Sequence, residues 1–231
     1  MEYKGIEVLD SITVDCAIFG FENNELKVLL VRRNIEPQKG IWALPGGWIG
    51  VTEDVDDAAK RILEEATGVG GIFMKQVSSF GRVNRFPDKR IITIGYSALV
   101  QPQDYSLRPG QDTSDVVWQP INEVGQLTFD HNEILEAALK SLRTNARHAL
   151  IGIELLPEKF TLSQLQALHE AILGVSLNKR NFRTKMNKLK VITALNEWQT
   201  EVSHRPAQLY TFDKEQYYKI VNEDYEYELI V

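Results

Sequence analysis

The chain has 231 residues, of which 43% are hydrophobic and 25% are charged, and its formal net charge at pH 7 is -6. This composition is typical of a folded globular protein and excludes a disordered chain. The single cysteine, Cys16, excludes an intramolecular disulfide. The N-terminal segment "MEYKGIEVLD" resembles no signal peptide, and no apolar run is as long as a membrane span. We therefore expect a cytoplasmic protein with no membrane partner.

The first part of the chain has strand patterns followed by a helix. Two β-rich segments, "SITVDCAIFGF" and "LKVLLVRR", are separated by a turn-forming segment. The segment "ALPGGWIG" contains one proline and three glycines, which predicts a loop. A helix is predicted at "DVDDAAKRILEEATG", with Asp54 as its cap and Gly68 at its end.

The remaining patterns predict two domains. Strands are expected at "RIITIGYSALV" and "SDVVWQPI", followed by an amphipathic helix at "HNEILEAALKSLRTNA". After Pro157 two further helices and two strands follow within about 60 residues, which is enough for a small separate domain. We expect a mixed α/β chain with one domain over residues 1–150 and another over residues 151–231.

Residues 46–69 have a pattern that suits cleavage of a diphosphate. This chemistry needs a divalent metal, and Mg²⁺ prefers oxygen ligands from carboxylates, water and phosphate. Carboxylates share one face of a helix at spacings of three and four residues, which here means positions 62, 65 and 66. These positions hold Ile62, Glu65 and Ala66, so only one is acidic. We therefore expect Ile62 and Ala66 to pack in the core, and we predict no metal site and no catalytic residue.

The same segment resembles the Nudix box, in which a glycine, a glutamate and a Glu-rich helix occur at fixed intervals. The first and last glutamates of the box helix are absent here, and in the family such residues hold metal or act as a base. The resemblance implies the Nudix fold, an α/β/α sandwich. An active hydrolase of ADP-ribose or a related nucleoside diphosphate sugar is the alternative, with Mg²⁺ held by Glu53, Glu64 and Glu65. The residues that match the box are Gly47, Glu53, Arg61, Leu63, Glu65, Gly68 and Val69.

The box also supplies the candidate residues for binding an effector. Backbone amides at two adjacent turn glycines can bind an anionic or polyhydroxy ligand. The acidic and basic members can instead form a salt-bridged clamp that only stabilises the fold. The candidates are Gly46, Gly47, Glu53, Arg61 and Glu65. Outside the box, Asp130 and His131 are predicted to cap a helix, with a general base at His131 as the less favoured alternative.

Residues 179–205 contain seven basic and two acidic residues within an acidic chain. On a helical projection, Phe182, Met186 and Leu189 form one buried stripe, and the opposite half is basic and rich in hydrogen-bonding side chains. Lysine and arginine bind phosphates, while arginine and asparagine bind base edges in the major groove. The segment therefore suits a helix-turn-helix with a hairpin wing, and a solvated basic face on a helical appendage is the alternative. The predicted DNA-binding residues are Lys179, Arg180, Asn181, Arg183, Thr184, Asn187, Lys188 and Arg205.

A degenerate Nudix box followed by two helices and a hairpin resembles the Nudix-related transcriptional regulators. These join an N-terminal Nudix sensor to a C-terminal winged helix, and "VDCAIFGF", "FTLSQLQALHEAI", "KRNFR" and "RPAQLY" are similar to their members. The resemblance implies a homodimeric repressor that binds double-stranded DNA and needs no cofactor. Its effector is expected to be a sugar such as L-arabinose, or ADP-ribose with a role in NAD metabolism. RNA binding is a third option, disfavoured because the basic face lacks aromatic residues.

Overall fold

The computed structural model describes residues 1–87, 89–200 and 205–217. The chain divides into two compact units, one ending at Ser141 and the other starting at Leu142. This division falls inside a helix, and the domain boundary expected at residue 150 stays a prediction. The part of the second predicted domain at 201–204 and 218–231 lies outside the described residues.

The first unit is built on one mixed sheet. The described strands of this sheet are β1 (Glu2–Tyr3), β2 (Ile6–Glu22), β3 (Glu25–Arg33), β4 (Trp42–Ala43), β5 (Gly46–Gly50), β6 (Lys75–Phe80), β7 (Ile92–Val100) and β8 (Thr113–Pro120). Strand β2 lies at the centre and pairs in parallel with β7 and antiparallel with β1, β3 and β5. Strands β4 and β8 pair with β3, and β6 pairs with β7.

Helices cover both faces of this sheet. Helix α1 spans Val55–Thr67 and helix α2 spans His131–His148. Successive side chains of a strand point to opposite faces. Along β2, Val14, Cys16 and Ile18 accordingly join a core cluster with α1 residues, whereas Asp15 lies beside His131 at the start of α2. The predicted α/β/α sandwich is confirmed.

The segment predicted to be a loop, "ALPGGWIG", instead contributes two strands. Gly46 and Gly47 are in β5, opposite Asp15 and Val14 of β2, and neither is among the glycines with a positive φ. A Cβ at Gly46 would collide with the Asp15 carboxylate, and one at Gly47 would lie 3.3 Å from Ile62. These glycines therefore allow close packing in a sheet and do not form the turn that was predicted.

The second unit is a winged helix domain, as predicted. Its described elements are α3 (Leu162–Leu173), α4 (Lys179–Leu189), β9 (Ile192–Trp198) and β10 (Gln208–Phe212). Helix α3 begins at Thr161 with a capping box to Gln164, and its apolar stripe is buried. Strands β9 and β10 form an antiparallel hairpin, and Phe160 adds backbone hydrogen bonds to Tyr210.

The expected cap residues of α1 differ in how they act. Gly68 ends α1 in the left-handed conformation, with φ 79°. Asp54 occupies the N-cap position, but its side chain makes no capping hydrogen bond.

No described helix of either unit combines the length and the apolar character that crossing a membrane requires.

Candidate functional site

A cavity of about 410 Å³ opens in the first unit beside β3, β5 and α1. Four of the five predicted effector-binding residues line it, namely Gly46, Gly47, Arg61 and Glu65. The fifth, Glu53, lies behind Arg61 and is bonded to it. Sequence reasoning missed several other polar and aromatic residues of the lining, which include Tyr3, Lys4, Arg33, Trp48 and Asp112.

The acidic and basic residues of the box form a salt-bridged clamp, which was one of the two alternatives that the sequence suggested. The Glu53 carboxylate accepts hydrogen bonds from Arg61 Nε at 3.0 Å and from Arg61 Nη2 at 2.5 Å, and also from the Gly50 amide at 2.5 Å. These bonds, above all those from Arg61, hold the pKa of the Glu53 carboxyl below its usual value. Arg61 also donates to the Trp48 carbonyl and to Glu65. All three guanidinium nitrogens of Arg61 are therefore engaged within the protein.

The side chains of the box helix do not fit the Mg²⁺ that the Nudix box binds in the family. Ile62 is 5% exposed and belongs to the core cluster, and Ala66 packs against the same cluster. Glu65 remains at this face, but its carboxylate lies 3.3 Å from Arg61. Among residues 1–87, 89–200 and 205–217, no three carboxylate, histidine or cysteine side chains are grouped as metal ligands.

A buried polar network lies next to the cavity wall at Leu44. Arg85 donates to both carboxylate oxygens of Asp130, at 2.9 and 2.8 Å, and lies 3.4 Å from Asp15. The side chain of Arg85 is only 3% exposed. The Asp130 carboxylate, expected to take part in a helix cap, is thus bound to Arg85.

His131 connects this network to the cavity wall. Its Nδ1 accepts a hydrogen bond from the Leu44 amide at 3.0 Å, so the ring proton is on Nε2, which lies 3.5 Å from Asp15 Oδ1. Burial lowers the pKa of His131, which keeps the ring neutral. Both ring nitrogens are therefore engaged with groups of the protein.

The second unit carries the predicted DNA-binding face on α4. Phe182 and Met186 are buried, and Leu189 is half-buried, which confirms the predicted stripe. Within the described part of the chain, none of the four basic side chains predicted on this helix forms an ion pair. The residues predicted on this face are all exposed, namely Lys179, Arg180, Asn181, Arg183, Thr184, Asn187 and Lys188.

Hydrogen bonds fix the turn between α3 and α4. Glu170 accepts from the Leu177 amide at 2.7 Å and from Gln166 at 2.9 Å, and Gln166 donates to the Leu177 carbonyl. Asn178 then caps α4 through the amides of residues 180 and 181. These bonds hold α4 in place while leaving its basic face in solvent.

The last predicted DNA-binding residue, Arg205, belongs to the β9–β10 hairpin, which forms the wing. Arg205 is exposed and precedes β10 by three positions in the chain, and the neighbouring residues 201–204 lie outside the described residues. Arg205 therefore lies at the loop end of the β9–β10 hairpin, apart in sequence from the α4 face.

Comparisons with protein families agree with this two-part architecture. Residues 11–138 match the NUDIX domain, and residues 152–212 match the NrtR DNA-binding winged helix domain. A relative from Acinetobacter baylyi, named the ADPR responsive transcriptional repressor NtrR, is 35% identical over 210 residues, which cover 89% of this chain and 83% of that protein.

Solved structures show the same relationship. Shewanella oneidensis NrtR complexed with a 27mer DNA is 32% identical, with a TM-score of 0.74, covering 90% of this chain and 95% of that one. The Nudix domain of the same protein complexed with ADP ribose is 32% identical, with a TM-score of 0.55, covering 62% of this chain and 94% of that domain. The chain therefore belongs to the family of Nudix-related transcriptional regulators, which join a Nudix domain to an NrtR-type winged helix domain.

Proposed function

We propose that this chain is a transcriptional repressor that binds operator DNA through its winged helix and ADP-ribose through its Nudix domain. The observation that carries the proposal is the division of α4 into a buried apolar stripe and an exposed basic face. A helix that enters the major groove needs this division, because one side must pack while the other meets phosphates and base edges. The Acinetobacter relative supports a repressor, and the Shewanella complex supports DNA as the partner.

ADP-ribose is the effector that the relatives support. The Acinetobacter repressor is named as ADPR responsive, and the Shewanella Nudix domain was crystallised with ADP ribose. The cavity of about 410 Å³ lies within the usual range for small-molecule sites. The comparisons give no support for L-arabinose, an expectation that rested on the resemblance of "FTLSQLQ" and "KRNFR" to sugar-responsive regulators and on the eroded box. A role in the control of NAD metabolism accords with an ADP-ribose effector.

We propose further that ADP-ribose is bound without being cleaved. Ile62 and Ala66 occupy two of the three positions that would hold the metal, and Ile62 packs in the core. Glu53, which the hydrolase alternative needs as a ligand, is already bonded to Arg61 and Gly50. A metal ion would have to break this clamp to gain one carboxylate.

Fluorescence anisotropy with duplexes from the promoter regions adjoining the gene tests the DNA-binding part. Arg183→Ala should weaken binding to the specific duplex about 5- to 150-fold, since a base-edge contact is worth about 1–3 kcal/mol. The matched control is Lys60→Ala, which removes one exposed positive charge from α1 and should leave affinity unchanged. Both variants should keep the melting temperature of the wild type.

The effector is tested in the same assay, and the assembly is tested by footprinting. ADP-ribose should release the duplex, and affinity should fall steeply with salt because bound lysines and arginines displace counterions. As a homodimer, the protein should protect two half-sites one or two helical turns apart. Equal affinity of Arg183→Ala and the wild type would refute α4 as the recognition helix. Rapid Mg²⁺-dependent cleavage of ADP-ribose would refute the binding-only role.

A further inference from the structure

Three cationic side chains line the cavity of the Nudix domain: Lys4, Arg33 and Arg61. We infer that Arg33 is the residue that binds the diphosphate of the effector, an inference that rests on the proposed ADP-ribose function. The two other cations are already paired with carboxylates of the chain. Arg33 therefore determines whether the site selects a nucleoside diphosphate over a neutral ligand.

Arg61 and Lys4 have little capacity left for an anion. Every guanidinium nitrogen of Arg61 has a partner in the clamp. Lys4 Nζ lies 2.6 Å from Asp112 Oδ2, and the Tyr3 hydroxyl donates to the same oxygen. A diphosphate could take these cations only by displacing carboxylates that already neutralise them.

Strand geometry directs Arg33, and not its neighbour Arg32, into the cavity. Val31 and Arg33 are two positions apart on β3, so they share a face, and both line the cavity. Arg32 points the other way and is exposed, where its Nε donates to the Gly40 carbonyl. The pairing of β3 with β8 is irregular between these two arginines, and it places Arg33 opposite Thr113, another cavity residue.

The guanidinium of Arg33 is held in place by contacts that leave its outer nitrogens available. Its Nε donates to the Pro37 carbonyl at 3.1 Å, and its Cζ lies 5.2 Å from the centre of the Phe129 ring. Among the described residues, Nη1 and Nη2 form no hydrogen bond and no ion pair. These two donors have the fork geometry that binds a phosphate through two parallel hydrogen bonds.

The surroundings of Arg33 favour an incoming anion. The side chain is half-buried, and burial lowers its pKa, while Tyr3, Asp15 and Asp112 act in the opposite sense. An arginine remains charged in proteins under such conditions. A fixed, partly desolvated cation without a direct counter-ion loses little hydration and little side-chain entropy when a diphosphate binds.

Calorimetric titration of Arg33→Gln and Arg32→Gln with ADP-ribose and with adenosine tests this assignment. Arg33→Gln should weaken ADP-ribose binding about 10- to 100-fold, the loss expected for a charge-assisted hydrogen-bonded pair. Its affinity for adenosine, which lacks the diphosphate, should stay within about twofold of the wild type. Arg32→Gln changes the adjacent arginine on the outer face of β3 and should leave both affinities unchanged. Arg33→Lys keeps the charge without the fork and should lie between the wild type and Arg33→Gln.

Four results would separate the explanations. Unchanged ADP-ribose binding by Arg33→Gln overturns the assignment. Equal weakening for ADP-ribose and adenosine also overturns it, because Arg33 would then shape the cavity and not hold the diphosphate. If Arg33→Gln melts well below the wild type, the comparison passes to Arg33→Lys, which must lose affinity for ADP-ribose but not for adenosine. A wild-type protein that binds no ADP-ribose removes the proposed function and this inference with it.

Discussion

Replacing Ile62 and Ala66 by glutamate should turn the Nudix domain into a metal-binding domain. The double variant places carboxylates at positions 62, 65 and 66, which share one face of α1 and border the cavity. This arrangement has the spacing that Mg²⁺ requires, and the new carboxylates do not depend on the Glu53–Arg61 clamp. The variant should therefore gain Mg²⁺-dependent cleavage of ADP-ribose.

The change also lowers the stability of the Nudix unit. Ile62 is 5% exposed, so losing its burial costs about 2–3 kcal/mol. Ala66 is half-buried and adds about 0.5–1 kcal/mol when a longer polar side chain replaces it. A loss near 3 kcal/mol lowers the melting temperature of a unit of this size by about 10 °C. Mg²⁺ at a concentration 100 times its dissociation constant restores about 2.7 kcal/mol, because it binds only the folded state.

Thermal unfolding with and without Mg²⁺, together with the release of AMP from ADP-ribose, measures both effects. The matched control replaces the same two residues by glutamine, which has the size of glutamate but no charge. It should lose no more stability than the glutamate variant without Mg²⁺, recover none of it with Mg²⁺, and cleave nothing. If the two double variants respond alike to Mg²⁺, the apolar side chains at positions 62 and 66 are not the reason that the domain binds no metal.

Two further predictions concern buried ionisable groups. Arg85→Met leaves Asp15 and Asp130 buried without their cation and should destabilise the Nudix unit by about 3–5 kcal/mol in urea denaturation. Arg82→Gln removes only an exposed pair and should have little effect, so similar losses in the two variants would contradict the role of the network. In the winged helix, burial lowers the pKa of His169. Below about pH 6.5 this histidine therefore binds a proton in the unfolded chain but stays neutral in the folded domain. Stability of this unit should therefore fall as pH drops below that value, and His169→Leu should flatten the profile; parallel profiles would disprove this.

The helices of the winged helix domain were predictable from sequence because their packing is periodic. Leu162, Leu165, Leu168 and Ile172 recur at helical spacing, and all four are buried. The cap signals around α3 were also local, since Thr161 and Gln164 are three residues apart and satisfy each other's end groups. In patterns of this kind, the partner of each residue lies within one or two helical turns along the chain.

The cavity was less predictable because its polar residues depend on partners far away in the chain. "LVRR" places two arginines in succession on a strand, and alternation requires one of them to face inward, but the sequence does not say which face borders a cavity. Arg85 lies close in sequence to Arg82, Lys89 and Arg90, and nothing in the local sequence distinguishes it from them. Its burial depends on Asp15 and Asp130, which are 70 and 45 positions away. No local periodicity carries that information.

Glycine gave a wrong prediction for a related reason. A sequence does not distinguish a glycine in a turn from a glycine that lets a strand lie close to its neighbour. Gly46 and Gly47 are of the second kind, because the Asp15 carboxylate and Ile62 occupy the space that side chains would need. The side chain of Asp15 therefore contacts both β5 and the buried Arg85 network.

The location of Arg33 constrains how an effector acts on DNA binding. A ligand shifts an equilibrium between two states only by the difference in its affinity for them. If Arg33 holds the diphosphate equally in both states, Arg33→Gln raises the ADP-ribose concentration for half-maximal release of DNA but leaves the extent of release at saturation unchanged. If Arg33 holds it in one state only, the extent of release at saturation falls as well. Titrating ADP-ribose against a preformed DNA complex of this variant therefore distinguishes a residue that anchors the effector from one that transmits its effect.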